Sequence, residues 1–246
     1  MTQLTLVAHR GFAGKYPENS LSAFEAAINC GGKHLELDVQ LTADGVAVVV
    51  HDENLLRISG TDISVLESQW AELQNVSIGE PERFANQFHE EKLLSLSEFA
   101  KLLKSHPDVT AFVELKEESI NKFGKEKFLA VATETLSEVK TQCTFISFDS
   151  GILFYTKQHY DLPIGYVLKQ FDEKAYNIAR QLMPDYLICN YKKIPDNDNA
   201  LWEDDWEWFL YEIIDPQVAL QWFQRGVRYI ETMEIESMMQ GLKISN

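Results

Sequence analysis

Residues 35–51 read LELDVQLTADGVAVVVH and contain two strand-like runs joined by a short polar link. Acidic and apolar side chains alternate in Leu35–Val39, which is typical of a strand with two different faces. Val46–Val50 is rich in valine, and only about six residues separate it from the first run. Because a crossover between parallel strands needs a dozen or more residues, the second run must fold back as a hairpin about Asp44-Gly45.

Strand-like runs recur along the whole chain, with helix-like segments between them. Strands that alternate with amphipathic helices favour right-handed βαβ units and a parallel sheet, and eight such units close most naturally into a barrel. The predicted fold class is therefore α/β, a TIM (β/α)8 barrel with the β-hairpin as a short excursion after strand 2. The eight runs are Leu4–His9, Leu35–Val39, Ala111–Lys116, Thr144–Phe148, Pro163–Leu168, Tyr186–Asn190, Phe209–Ile214 and Val227–Thr232.

The length of the chain, 246 residues, matches the usual size of one such barrel, so we predict a single domain over residues 1–246. An apolar fraction of 45% and a charged fraction of 24% are typical of an ordinary globular protein. Residues 53–94 have mixed polarity and weak periodicity. This favours a small insertion over the C-terminal mouth of the barrel rather than a second domain.

Charge and cysteine content limit the partners and the compartment that we expect. A formal net charge of −16 would repel nucleic acid and anionic membrane surfaces, so we expect neither nucleic-acid binding nor stable membrane association. The first ten residues lack the basic and apolar regions of a signal peptide, and no apolar run is long enough to span a bilayer. Three widely separated cysteines fit reduced thiols, so we expect a cytoplasmic protein.

Polar side chains gather at the ends of three of the eight runs and of the hairpin. The active site of a TIM barrel lies at the C-terminal ends of its strands, so polar residues there are candidates for chemistry, whereas apolar residues belong to the core. The four groups are His9-Arg10-Gly11, Glu36-Leu37-Asp38, His51-Asp52 and Glu114-Leu115-Lys116.

Two of these groups bring carboxylates together. Strand alternation places Glu36 and Asp38 on one side of their strand, and Glu114 shares a side with Lys116. Three carboxylates in a barrel mouth repel each other unless a cation neutralises them, and a hard divalent ion, Mg²⁺ or Ca²⁺, suits such oxygen ligands. The alternative is an interior salt-bridge network without a ligand, but two histidines and an arginine at neighbouring strand ends favour a functional site. Solvated or capping roles are expected for the other histidines, His34, His89, His106 and His159.

The order and spacing of these groups match a known signature. The segments concerned are His9-Arg10-Gly11, Pro17-Glu18-Asn19-Ser20, Glu36 to Gly45 and His51-Asp52. They closely resemble the signature of the glycerophosphodiester phosphodiesterase family, and the resemblance is dense over residues 7–52 and thinner beyond. Glu114-Leu115-Lys116 is similar to the family's later Glu-x-Lys element, and Ser147-Phe148 to its Ser-Phe strand end.

This resemblance implies a metal-dependent phosphodiesterase that hydrolyses glycerophosphodiesters, such as glycerophosphocholine or glycerophosphoethanolamine, to glycerol 3-phosphate and an alcohol. By the same resemblance, His9 and His51 are the general acid and base, and Arg10 and Lys116 contact the phosphate. Attack by the glycerol 2-hydroxyl through a cyclic phosphate and direct attack by water are both compatible with the residues. The ligands of the one divalent cation, Mg²⁺ or Ca²⁺, are Glu36, Asp38 and Glu114.

The chain departs from the family pattern at two strand ends. The family usually has Trp-Thr-Val-Asn on strand seven and Thr-Asp on strand eight, whereas this chain has YEII at residues 211–214 and TM at 232–233. Tyr211 can still offer an aromatic face to the glycerol moiety. Glu212 and Glu231 would add acidity and favour a cationic or hydroxyl-rich alcohol, and simple exposure or pairing with Lys or Arg is an equally good expectation for them.

The segment from Pro17 to Ser20 has a mainly structural interpretation. A proline-led turn followed by Asn19 and Ser20 predicts the cap of the first helix, with Glu18 or Asn19 bracing the mouth of the barrel.

Two other functions compete with the glycerophosphodiesterase interpretation. A phosphatidylinositol-specific phospholipase C or a sphingomyelinase D on a similar barrel would need access to lipid, and the chain has no obvious lipid-inserting loop. A non-catalytic, phosphodiester-binding barrel could keep the motif without turnover. The complete set of reactive side chains favours an enzyme over that alternative.

Overall fold

The computed structural model describes residues 4–195 and 201–243. The strands are β1 (Thr5–Ala8), β2 (His34–Leu41), β3 (Ala47–Val49), β4 (Leu94–Ser95), β5 (Thr110–Leu115), β6 (Cys143–Ser147), β7 (Ile164–Val167), β8 (Tyr186–Asn190), β9 (Glu207–Tyr211) and β10 (Tyr229–Thr232). The α-helices are α1 (Leu21–Asn29), α2 (Leu56–Ser59), α3 (Trp70–Leu73), α4 (Pro81–Phe84), α5 (Leu96–Ser105), α6 (Glu117–Phe123), α7 (Lys125–Thr135), α8 (Ser150–His159), α9 (Glu173–Leu182), α10 (Pro216–Gln224) and α11 (Ile235–Leu242). Two 3₁₀ helices span Ser137–Gln142 and Tyr191–Lys193.

Eight strands of the described ranges close into a parallel ring in the order β1, β2, β5, β6, β7, β8, β9 and β10. The ring closes because β1 pairs with β10 on one side and with β2 on the other, with Thr5 opposite Tyr229 and Ala8 opposite Leu35. Each of the eight predicted runs overlaps one of these strands, and helices occupy most of the links between them. The prediction of a TIM barrel is therefore confirmed.

The hairpin lies outside this ring. β3 pairs antiparallel with β2, with Val39 opposite Val49, and β4 then pairs antiparallel with β3. The turn is closed by a hydrogen bond of 2.9 Å from the Gly45 amide to the Thr42 carbonyl, and Gly45 has a φ of +83° that side chains rarely tolerate. The hairpin inferred from the short link is confirmed, and it delivers the chain to His51 at the mouth of the barrel.

Alternation along the barrel strands separates two apolar layers. Outward positions, such as Leu35 and Leu37 of β2, pack against the helices in the main core. Inward positions form a separate cluster inside the ring. In β1, β5 and β9 a residue of that cluster lies two positions before His9, Glu114 and Tyr211, so these side chains point into the same interior. The inward cluster consists of Val7, Phe112, Ile146, Val167, Ile188 and Phe209.

The insertion at residues 53–94 has a small core of its own. It contains the short helices α2, α3 and α4 and packs on the valines of the hairpin. Arg83 joins it to the loop after β1, because its guanidinium donates to the Ala13 carbonyl at 2.6 Å. Within the insertion, the same guanidinium donates to the buried Glu80 carboxylate at 2.7 Å. The core of the insertion consists of Val48, Val50, Leu55, Ile58, Val65, Leu73, Ile78 and Leu93.

Within the described part of the chain, no helix is both long enough and apolar enough to cross a membrane. Cys30, Cys143 and Cys189 are all free thiols, and the last two are buried.

Candidate active site

A cavity of about 210 Å³ opens at the C-terminal ends of the barrel strands. Asp38 is buried next to it, with only 1% of the residue exposed. The cavity combines a charged wall from β1, β2, β5 and β10 with a largely apolar wall from β6, β7 and β8, as expected for a small-molecule site. The predicted site residues that line it are His9, Arg10, Glu36, His51, Glu114, Lys116 and Tyr211.

The three predicted metal ligands lie together. Oxygen atoms of Glu36, Asp38 and Glu114 fall within 4.8 Å of one another, and β2 and β5 pair in the register that sets Asp38 opposite Glu114. Burial and the neighbouring charges of Asp38 and Glu231 hold the pKa of Glu36 well above its usual value. Burial also raises the pKa of Glu114. This repulsion is what a divalent cation would relieve, so the donor set fits a hard metal ion.

Arg10 and Lys116 bring two positive charges to the same cluster. Arg10 Nε lies 3.0 Å from Asp38, and Lys116 Nζ lies 2.8 Å from Glu114 and 3.3 Å from Asp38. Burial alone would raise the pKa of Asp38, but these two cations outweigh it and hold that pKa far below its usual value. Among the residues that the structure describes, no Lys or Arg side chain forms an ion pair with Glu36. Glu36 accepts a hydrogen bond of 3.0 Å from the Arg10 backbone amide, and its charge is the one in the cluster that no Lys or Arg side chain of the described ranges pairs with directly.

His9 lies between two buried carboxylates. Its Nε2 atom is 3.2 Å from Glu231 and 4.0 Å from Glu36. Burial and the adjacent charge of Arg10 lower the pKa of His9 to about 3, so the imidazole is neutral at physiological pH in the absence of other ligands. A neutral imidazole carries the lone pair that a general base needs, while the lowered pKa makes His9 a weaker base than free histidine.

Two outcomes were open for Glu231, and the structure favours the first of them, an acidic side chain at the cavity, because Glu231 lines it. The other outcome, exposure or pairing with Lys or Arg, does not apply to it, since Glu231 is only 4% exposed and its partner is His9. The expectation suits Glu212, whose side chain is 46% exposed, hydrogen-bonds to Asn190 and lies 3.9 Å from Lys192. Glu231 lies two residues after Tyr229 in β10, so both side chains are on the same side of the strand. Because Tyr229 packs on the inward cluster, strand alternation could have indicated that Glu231 points inward.

His51 enters the cavity from the end of the hairpin. Its Nδ1 atom lies 2.6 Å from the Asp52 carboxylate, and its carbonyl accepts a hydrogen bond of 3.2 Å from the Gln40 side chain. These contacts hold the ring by one nitrogen and by the backbone, which leaves Nε2 for proton exchange. The remaining histidines lie elsewhere: His106 caps α5 and His34 contacts Thr110 Oγ1, while His89 and His159 are exposed.

The loop after β1 supports the cluster through a tight backbone path. Gly11 has a φ of +77°, and a Cβ atom there would lie 2.7 Å from the backbone of Ala23, so only glycine fits. Asn19 donates to Asp38 at 2.9 Å and accepts from the Asp38 amide at 3.2 Å. Ser20 caps α1 by accepting from the Ala23 amide. The segment from Pro17 to Ser20 thus combines the predicted cap with the predicted brace.

The fold recurs in solved structures. The structure of an Oleispira antarctica phosphodiesterase in complex with the product sn-glycerol-3-phosphate has a TM-score of 0.85, with 22% sequence identity, over 98% of this chain and 97% of that one. At this level of identity the likeness shows the TIM-barrel fold.

The family follows from the sequence match. The profile of the Glycerophosphoryl diester phosphodiesterase family matches residues 9–197, which is more than half of the chain. The protein therefore belongs to that family. The match begins at His9 and includes every site residue named above up to Asn190.

Curated relatives match over shorter segments. The glycerophosphodiester phosphodiesterase of Bacillus altitudinis is 48% identical over 69 residues, which are 28% of this chain and 28% of that protein. The enzyme of the same name from Caldanaerobacter subterraneus subsp. tengcongensis is 29% identical over 157 residues, 64% of this chain and 59% of that protein. The matched segments thus span 28% to 59% of the length of these relatives.

Proposed function

We propose that this protein hydrolyses glycerophosphodiesters, such as glycerophosphocholine or glycerophosphoethanolamine, to glycerol 3-phosphate and an alcohol. The observation that carries the proposal is the convergence of two histidines, a carboxylate cluster and two cations on one cavity of about 210 Å³. The Oleispira antarctica relative was solved with the product sn-glycerol-3-phosphate, which supports a substrate of this class. Family membership supports the same reaction.

His9 and His51 form the acid–base pair of the proposed reaction. Hydrolysis of a phosphodiester requires one proton to leave the attacking hydroxyl and another to reach the alkoxide that departs. Both rings line the cavity, and each contacts an acidic side chain, Glu231 for His9 and Asp52 for His51. One ring thus takes the first proton while the other gives the second.

Positive charge for the phosphate comes from two side chains and a metal ion. Arg10 and Lys116 border the cavity and would contact the phosphoryl oxygens, and Tyr211 would offer its ring to the glycerol carbons. Glu36, Asp38 and Glu114 would hold one divalent cation, Mg²⁺ or Ca²⁺. When bound, that cation supplies charge neutralisation at the phosphoryl group and makes a neighbouring hydroxyl more acidic.

The same proposal includes the setting of the enzyme. Residues 1–246 act as a single catalytic domain with a small insertion at 53–94. The barrel mouth binds a small-molecule substrate, and the protein neither binds nucleic acid nor associates stably with a membrane. The free thiols at Cys30, Cys143 and Cys189 support a reducing, cytoplasmic location.

The test is hydrolysis of purified glycerophosphodiesters with and without metal. Released glycerol 3-phosphate is measured with a coupled dehydrogenase, and we expect turnover in Mg²⁺ or Ca²⁺ that disappears on exhaustive chelation and returns when the ion is added back. Full activity after chelation would contradict the metal site. Inactivity on every small diester with metal present would instead favour the non-catalytic barrel.

A further inference from the structure

A side chain of the insertion connects His51 with the loop after β1. Arg57, in helix α2, donates from Nε to Asp52 Oδ2 at 2.7 Å, and the other oxygen of Asp52 lies 2.6 Å from His51 Nδ1. Asp52 therefore stands between the guanidinium and the histidine, with each of its oxygens committed to one partner. This is the arrangement in which a carboxylate fixes the ring orientation and the tautomer of a histidine.

The same guanidinium also binds Glu18 in the loop after β1. Its Nη1 and Nη2 atoms donate to the two oxygens of Glu18 at 2.8 and 2.7 Å. Glu18 Oε1 in turn accepts from Arg10 Nη1 at 2.9 Å, and Arg10 Nε lies 3.0 Å from Asp38. A continuous series of charged contacts thus runs from His51 to the carboxylate cluster, and Arg57 is its midpoint.

Arginine is the residue type that this position requires. Three nitrogens of Arg57 each meet a carboxylate oxygen, in two directions, which matches the planar fork of a guanidinium. An ammonium group is a point charge and cannot bridge the same three oxygens in this geometry. Glu18 is 8% exposed, so loss of the fork would leave a buried carboxylate with one cation instead of two.

Arg57 is not needed to attach the insertion. Arg83 already joins that segment to the barrel through the Ala13 carbonyl, and Glu80 accepts from the Glu18 amide at 2.6 Å. The insertion also packs on the hairpin through its own apolar core. The side-chain contacts of Arg57, in contrast, are with two carboxylates that touch His51 and Arg10.

We propose that Arg57 is a positioning residue of the active site, which sets the orientation of His51 through Asp52 and that of Arg10 through Glu18. The insertion is in this view part of the catalytic apparatus rather than an appendage. The inference rests on the proposed phosphodiesterase function, because hydrolysis is its readout. It gives residues 53–94 a role in positioning active-site side chains, although the proposed metal ligands and acid–base pair all lie outside this segment.

The experiment compares Arg57→Ala with Arg83→Ala, since both arginines lie in the insertion, are partly exposed and contact the loop after β1. We expect Arg57→Ala to lose about tenfold to a hundredfold in kcat, the usual effect of removing a group that orients a reacting side chain, and to raise KM because Arg10 is less well held. Arg57→Lys should recover little of the loss. Millimolar guanidinium chloride should restore part of kcat in Arg57→Ala and none in Arg83→Ala.

Coupling to Asp52 provides a second measurement. If Arg57 acts through Asp52, then Arg57→Ala combined with Asp52→Asn loses no more kcat than the worse single variant.

Wild-type kcat and KM in Arg57→Ala would overturn the proposal, and so would an equal loss in Arg83→Ala. If Arg57→Ala does not fold, as judged by circular dichroism, wild-type kcat in Arg57→Lys overturns it instead. A wild-type enzyme inactive on every diester would contradict the proposed function itself, which keeps the two failures distinct.

Discussion

At the scale of residues, the two histidines of the proposed acid–base pair, His9 and His51, occupy different surroundings. The His9 side chain is 14% exposed and contacts buried Glu231, whereas that of His51 is 34% exposed and contacts partly exposed Asp52. The pKa of His9 is lowered by burial and by Arg10. Two imidazoles in unlike environments suit a reaction that needs both proton removal and proton donation.

Removal of either ring is expected to disable turnover. His9→Ala and His51→Ala should each lower kcat by at least about a hundredfold, because a positioned general acid or base contributes that much. The melting temperature should change little for His51→Ala. Exposed His89, which lies in the insertion, gives the control variant His89→Ala. A near-normal rate in either catalytic variant would remove that histidine from the mechanism.

Glu231 gives a prediction about pH and stability. Burial and the charge of Glu114 raise the pKa of Glu231 well above its usual value, so this carboxyl group keeps its proton to a higher pH in the folded state than in the unfolded state. Its contribution to stability is therefore complete below the unfolded pKa and is lost as pH rises through the folded pKa. In EDTA, the melting temperature of the wild type should fall from pH 5 to pH 8, and the fall should be smaller in Glu231→Gln. Equal slopes would contradict this account.

At the scale of elements, the site depends on how strand ends and loops are joined. The hairpin β2–β3 brings His51 to the barrel mouth, and the loop after β1 returns through Asn19 to Asp38. Both paths contain residues with positive φ, including Arg10, Asn19 and Gly45. Conformations of this kind cost free energy for residues other than glycine, so the surrounding contacts must hold them.

Substitution of two glycines would distinguish the destabilisation caused by backbone strain from that caused by a close contact. Gly11 has a φ of +77° and its added Cβ would meet Ala23, whereas Gly226 has a φ of +104° and nothing lies within 4 Å of its Cβ position. Gly226→Ala should lower the free energy of unfolding by about 1 kcal/mol from backbone strain alone. Gly11→Ala should cost clearly more and should also lower kcat, because Arg10 is its neighbour. Urea unfolding measures both, and equal costs would show that the loop relaxes around the new methyl group.

At the scale of the whole molecule, the net charge opposes the proposed substrate. The protein carries a net charge of −16, while Arg10 and Lys116 supply attraction only within the cavity. Fields of the whole surface act over a Debye length and are screened by salt, whereas contacts inside a buried site are screened much less. The long-range and the short-range electrostatics thus act in opposite directions on an anionic diester.

Substrate charge and salt should reveal this balance. Glycerophosphoglycerol carries a net negative charge and glycerophosphocholine is a zwitterion, so the second serves as the control for the first. We expect the ratio of their kcat/KM values, anionic over zwitterionic, to rise several-fold as sodium chloride is increased at constant metal concentration. A ratio that falls would mean that the local cations determine encounter as well as binding.

The strand pattern of the sequence was sufficient for the barrel, the hairpin and the inward direction of Glu36, Asp38 and Glu114. The reason is local: alternation sets the face of each side chain, and the link after Val39 is too short for a parallel crossover. The closeness of the three carboxylates followed from the shared mouth of a parallel barrel.

Contacts between distant segments were decided by the tertiary structure alone. Glu231 meets His9 because ring closure pairs β10 with β1, the two ends of the sheet, and no local pattern states which neighbour an inward carboxylate will find. Arg57 reaches Glu18 because the insertion folds back on the loop after β1. Alternation fixes the side of a strand on which a group lies, whereas its partner depends on the packing of elements far apart in sequence, since hydrogen bonds and ion pairs act only at short range.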